Sequence, residues 1–309
     1  MAAFFKNIFK NRMMLLMVLP GAVGFFFFSY LPLIGTVAAF KQYRFNRGGF
    51  WASLSKSEWV GWDNFKFLFS GTDAWLITRN TLLYNIAFIV VGLVLSVAMA
   101  IILSQLVGKT LAKVYQTGMF LPYFLSWVIV SYFGFSFLSM DRGMFNHILE
   151  GVGAEPVQWY SDPKYWPFIL IFVSLWKSIG YNSVVYLAAV LGIDKSLYEA
   201  AMIDGASKWQ QIRNITIPML SPIMIIMTLL AVGRIFYADF GLFYQVPRDS
   251  GTLYSVTNVI DTYVYRGLKT TGEIGMSTAA GLYQSFVGFV LVMISNYVVR
   301  KVDKDSALF

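Results

Sequence analysis

Six runs of apolar residues, each roughly 20 or more residues long, constrain this chain more than any other feature. They lie at 13–40, 81–107, 115–140, 165–191, 219–243 and 275–299. Each is long enough to cross the ~30 Å hydrocarbon core of a bilayer. A backbone in lipid must satisfy its own polar groups, so such runs are read as helices. Pro20, Pro32, Pro122, Pro167 and Pro222 fall within or near them, which neighbouring helices make tolerable. Only 13% of the residues are charged, against about 25% in a soluble domain. The expected fold class is an all-α membrane protein with six transmembrane helices.

The charge pattern gives an orientation. With the N-terminus inside, both sides carry eleven Lys and Arg, so the raw number decides nothing. The inner pieces are shorter, and their basic density, from Lys6, Lys10 and Arg12 through Lys195, Lys208 and Arg213 to Lys304, is higher. By the positive-inside rule both termini are expected in the cytoplasm. The net charge of +8 then reflects membrane topology and calls for no nucleic acid. The first run follows basic residues as a signal peptide does, but it is too long, and a retained anchor is the reading adopted. The domain expectation is 1–78 as anchor helix and first outer segment, 79–299 as membrane core, and 300–309 as a cytoplasmic tail.

Several chemistries are missing. There is no cysteine, which removes disulfides, thiolate metal sites and thiol nucleophiles. The one histidine, His147, lacks the partners of a metal site or proton relay and reads as an ordinary polar residue in a connection. No G-x-x-x-x-G-K-[ST], H-E-x-x-H or G-x-S-x-G occurs, so the chain is expected to be no enzyme and to bind neither metal nor nucleotide.

Between the fourth and fifth runs stands "SLYEAAMIDGASKWQQIRNITIP", residues 196–218. Ser196 with Glu199, and Ser207 with Gln210, have capping-box spacing. Gly205 between them is a natural helix stop, and Pro218 fits the first turn of the next helix. The expected structure is two short capped helices, the second amphipathic through Trp209, Ile212 and Ile215 and able to lie along the membrane face. A loop helix that merely rests on the bilayer, with Glu199 serving only its cap, fits the same pattern.

Glu199-Ala200-Ala201, Gly205 six positions after the Glu, then Ile215 and Pro218, resemble the EAA loop of ABC importer permeases. The departure is Ile217, where that pattern usually has Leu. "WVGWDNF", "RNTLLYN", "WKSIGYNSVVYLAAVLGI", "DFGLFYQVP" and the closing "SALF" resemble the carbohydrate branch, more narrowly its MalF-like and LplB-type members. The resemblance runs from about Trp59 to the end. It implies the fold of a type I importer transmembrane subunit (MetI-like), with 196–218 docking on a cytoplasmic ATPase. Glu199 would face a basic group there, Ala200 and Ala201 would allow close approach, and Gly205 would make the turn. It also implies a second homologous permease, two ATPase subunits carrying ATP and Mg, an extracytoplasmic solute-binding protein, and a bacterial cytoplasmic membrane.

Ionisable groups inside apolar runs cost about 2.5–3.5 kcal/mol on insertion scales and mark function by default. Lys177, Arg234 and Asp239 are such groups. With Ser174, Ser178, Tyr181 and Asn182 they make the expected substrate path, since a sugar needs hydrogen-bonding groups and an aromatic face. Snorkelling or pairing with another chain would explain Lys177 equally, and an ion pair would explain Arg234 and Asp239. An amino-acid or peptide permease of the same class, a charge-coupled secondary transporter and a membrane scaffold stay open as alternatives. The inverted repeats common in secondary transporters are not found.

Overall fold

The computed structural model describes residues 12–106, 109–302 and Ala307. Lys6, Lys10, Gly108, Lys304 and most of the closing "SALF" lie outside the described residues. Two compact units are present: residues up to 69 with 267–282, and 70–266 with 283 onward.

In the first unit the apolar run becomes α1 (Arg12–Phe25), a π-turn (Phe26–Tyr30) and a 3-10 stretch (Leu31–Phe40). Together they make one span whose apolar side chains are exposed, as lipid contact requires. The aromatic segment that follows folds on itself. β1 (Lys41–Gln42) pairs antiparallel with β2 (Glu58–Trp59) around α2 (Gly49–Lys56). Lys41 is buried there, its Nζ donating to the Leu54 carbonyl at 2.8 Å and lying 5.0 Å from the Trp59 ring centroid.

The second unit contains α3 (Thr72–Ser104), α4 (Lys109–Phe124), α5 (Trp127–Leu138), α6 (Met144–Gly151), α7 (Trp166–Leu191), α8 (Lys195–Ile203), α9 (Lys208–Gln211), α10 (Ile217–Val232), α11 (Phe240–Gln245) and α12 (Tyr254–Thr257). α13 (Ile260–Thr271) and α14 (Ile274–Val302) complete the chain's helices among the described residues. Among the described residues five helical segments are long and apolar enough to cross a membrane, six if the bent pair α4–α5 is counted as one span. His147 lies exposed on α6, 3.7 Å from Glu150, in keeping with a polar residue of a connection.

Three sequence expectations need correction. The third apolar run, 115–140, is not one helix: α4 and α5 meet at a 98° bend, where Ser126 caps α5 by accepting from the Ile129 N–H at 3.3 Å. The fifth run, 219–243, stops being helical at Val232, and Asp239 starts a new short helix. No amphipathic helix lies separately after Gly205. α9 runs through a π-turn (Ile212–Thr216) straight into α10, so one rod extends from Lys208 to Val232.

Two apolar clusters hold this unit. One gathers Trp166, Leu170, Leu242, Phe243 and Val259, and the other gathers Val97, Ala100, Tyr186, Val190 and Leu220. The polar stretch of α3 and α7 lies between them in sequence. Packing is closest where Gly180 of α7 meets α4: a Cβ there would stand 1.9 Å from the Met119 carbonyl oxygen. Only glycine fits without moving backbone. Gly180→Ala should destabilise the protein by about 1–3 kcal/mol, the range for overpacking. The check is the thermal midpoint and folded yield of the purified protein; an unchanged midpoint would mean that α4 and α7 separate freely.

Candidate substrate cavity and coupling hairpin

The end of α10 at Val232 leaves residues 233–239 outside regular helix, and this break forms one wall of a cavity of about 440 Å³. α3 contributes Asn85 and Ser96, α7 contributes Ser174, Ser178 and Asn182, and α10 contributes Thr228. Arg234, Tyr237 and Asp239 enter from the break. The Ser96 hydroxyl is buried at this wall without a hydrogen-bond partner, an arrangement that native proteins rarely leave unexplained. Asp239 accepts one bond on each oxygen: Oδ1 from the Leu242 N–H at 3.2 Å and Oδ2 from Trp127 Nε1 at 3.0 Å. It is therefore an N-cap of α11 and no partner of Arg234. Arg234 is exposed to the cavity and makes no side-chain hydrogen bond or ion pair among the described residues.

Lys177 points elsewhere. Its Nζ donates to the carbonyls of Tyr123 and Leu125, each at 2.7 Å, and of Pro122 at 3.3 Å. These carbonyls lie at the C-terminal end of α4 and in the bend after it, where a cation meets the negative end of the helix dipole, and that of Pro122 also accepts from the Leu125 N–H at 3.2 Å. The ammonium lies over the rings of Trp127 (5.2 Å) and Tyr123 (5.6 Å). Trp127 in turn packs on Gly241, whose absent Cβ would sit 2.0 Å from the indole. Tyr181 stacks on Tyr123 with centroids 4.5 Å apart and stays 45% exposed. Helical periodicity explains the division: Ser174, Ser178 and Asn182 recur every four residues on one stripe, and Lys177 and Tyr181 share the next. Of the expected path, Ser174, Ser178 and Asn182 line the cavity, and Lys177 and Tyr181 do not. Asn85, Ser96 and Thr228, polar residues inside the apolar runs, line it as well and are not among the residues expected there.

At the other end of α7 and α10 is a hairpin. Asp194, and not Ser196, caps α8, accepting from the Ser196 N–H at 3.0 Å. That bond holds the Asp194 carboxyl below the usual carboxylate range. The cap's contribution is therefore present at neutral pH and lost only as pH falls through the lowered native value. Gly205 turns the chain with φ +79°, the left-handed conformation that glycine adopts freely. Ser207 and Gln210 form the reciprocal box expected of them. Tyr198 Oη to Thr216 Oγ1 at 2.9 Å and Gln211 Nε2 to the Ala206 carbonyl at 3.1 Å tie the two arms. Glu199, Ala200, Met202, Ile203 and Trp209 are exposed on it. Glu199 makes no capping bond among the described residues, so its carboxylate is free for another surface.

Residues 92–304 match the family model described as binding-protein-dependent transport system inner membrane component. Protein LplB of Bacillus subtilis (strain 168) is 32% identical over 297 residues, 96% of this chain and 91% of that one. The polygalacturonan/rhamnogalacturonan transport system permease protein YteP of the same organism is 30% identical, covering 97% and 91%. A chain in the crystal structure of a bacterial ABC transporter involved in the import of the acidic polysaccharide alginate superposes with TM-score 0.86 at 31% identity, covering 97% of this chain and 99% of that one. The alginate transporter in complex with an alginate pentasaccharide-bound periplasmic protein gives 0.85 at 31% identity, covering 97% and 98%.

Lys177→Met removes the donor from three carbonyls at the α4–α5 bend. Losing the donor to the part-buried Leu125 carbonyl costs about 1–3 kcal/mol, and the exposed Tyr123 carbonyl and the Pro122 carbonyl, which keeps the Leu125 N–H, add less. The expected result is a fall in folded yield and thermal midpoint, with activity per folded molecule less affected. Normal yield with activity abolished would instead place the ammonium against a transported molecule.

Proposed function

The chain belongs to the family of binding-protein-dependent transport system inner membrane components, and from that membership we propose how its cavity and hairpin work. The protein is the membrane-spanning permease subunit of an ABC importer for a sugar, an oligosaccharide or polysaccharide fragment. It is a transport subunit and not an enzyme. It works in a bacterial cytoplasmic membrane with both termini in the cytoplasm, the side to which Lys195, Lys208 and Arg213 assign the hairpin. There the hairpin docks on one of two ATPase subunits. Its exposed apolar residues with one free carboxylate, Glu199, suit a groove that contains a basic group. ATP and Mg belong to those subunits, and this chain holds no cofactor. A second homologous permease completes the pathway, and an extracytoplasmic binding protein delivers the sugar.

The observation that carries this reading is the cavity itself. Hydroxyl and amide groups of Asn85, Ser96, Ser174, Ser178 and Asn182 converge where α10 breaks. Such groups match the alternating donors and acceptors of a sugar ring, and unwound backbone at membrane depth is tolerated where it lines a cavity. α7 leads into the hairpin and α9–α10 leads out of it, so ATPase closure moves two cavity walls together. Arg234 favours a more specific substrate. Arg234 makes no ion pair with Asp239 among the described residues, and a carboxylated sugar fits its guanidinium by a charge-assisted bond.

Two measurements test these assignments in the assembled importer. Arg234→Gln should lower uptake of a carboxylated oligosaccharide by about 10-fold or more, the value of a charged hydrogen bond. Uptake of the methyl-ester form of the same sugar should barely change. Equal losses for both forms would remove Arg234 from substrate recognition. Glu199→Lys should leave membrane insertion intact and abolish stimulation of the ATPase by sugar-loaded binding protein. Full stimulation in that variant would assign the carboxylate to the surface alone.

A further inference from the structure

The cavity wall at 233–239 has no helix to hold its shape, so something else must. Three consecutive residues of the break are fixed by side chains from three different helices. Asn85 Nδ2 of α3 donates to the Tyr237 carbonyl at 3.1 Å. Gln284 Nε2 of α14 donates to the Phe236 carbonyl at 2.7 Å. Asp261 of α13 accepts the Ala238 N–H on Oδ2 at 2.8 Å. The same Oδ2 accepts from Gln284 Nε2 at 3.2 Å, which joins two of the three supports into one unit. Gln284 is 4% exposed, and neither it nor Asp261 lines the cavity. On the front of the break, by contrast, Arg234, Tyr237 and Asp239 do.

We propose that Asp261, acting through Gln284 and the Ala238 N–H, is the positioning residue that sets the sugar-facing conformation of the 233–239 break. The proposal rests on the reading that this cavity takes the sugar. A carboxylate is an acceptor on both oxygens, so one atom can hold two donors without presenting a donor of its own to the buried backbone. Bonds to an ionised acceptor are also roughly twice as strong as neutral ones. An apolar residue at 261 would strand the Ala238 N–H and release Gln284, and the break could then turn Arg234 and Tyr237 away from the sugar. The clamp holds the wall from behind, and the sugar never touches it.

The test uses the complete importer in proteoliposomes, with binding protein saturated by sugar, and reads sugar taken up per ATP hydrolysed. A residue needed only for folding lowers uptake and ATP hydrolysis in proportion and leaves that ratio unchanged. Asp261→Ala should lower the ratio about 5- to 20-fold, while stimulated ATP hydrolysis per assembled complex stays near wild type. Asp261→Asn, which keeps an oxygen acceptor, should recover it to within about 3-fold. Gln284→Ala should lower the ratio too, and the double variant should lose less than the product of the single losses, as expected for one shared unit. An unchanged ratio in Asp261→Ala, with a reduced ratio in the cavity-lining Asn182→Ala, overturns the clamp and leaves the cavity reading standing. An unchanged ratio in both overturns the cavity reading and the clamp with it. If Asp261→Ala does not assemble, Asp261→Asn and Gln284→Ala carry the decision, and a normal ratio in both rejects the proposal.

Discussion

Hydrocarbon offers no hydrogen bonds, so every backbone group that leaves a helix in this chain needs a partner supplied by another part of it. Most of the second unit can be understood from that demand. The chain departs from helix at the α4–α5 bend and again at 233–239. Lys177 and Ser126 serve the first departure, and Asn85, Asp239, Asp261 and Gln284 serve the second. Trp127 joins the two, lying under the Lys177 ammonium and donating to Asp239. The two breaks therefore form one connected polar system, with the cavity wall as part of it.

This arrangement changes the meaning of an ionisable residue in an apolar run. Lys177 and Asp239 have the charge expected of substrate ligands, and both also hold structure, Lys177 at the α4–α5 bend and Asp239 at the start of α11. Arg234 is the group whose charge has no internal use among the described residues. The hydroxyl and amide groups on the cavity stripe of α7 belong with it.

Much of the molecule was legible from residue patterns. Apolar length located the spans, because lipid thickness permits little choice. Gly205 and the Ser207–Gln210 pair announced the hairpin, because turns and caps depend on neighbours within four residues. The failures share a cause. The bend at Ser126, the end of α10 at Val232 and the carbonyl contacts of Lys177 depend on groups distant in sequence, and apolar periodicity cannot register them. Lys177 lies 52 residues from the Leu125 carbonyl it binds. The Asp194 cap was missed for a local reason: Ser196 offered the same motif two residues later, and the acid that starts the helix won.

The unbroken passage from α9 into α10 makes this part of the protein a mechanical lever. Its 25 residues measure about 37 Å at 1.5 Å per residue. Tilting such a rod by about 10° at its hairpin end sweeps its far tip through roughly 6 Å, about the width of a sugar ring. The tip is Val232, and the non-helical cavity wall begins at the next residue. Amplification comes from length alone, so a small tilt at the hairpin end becomes a displacement on the scale of a sugar ring at Val232.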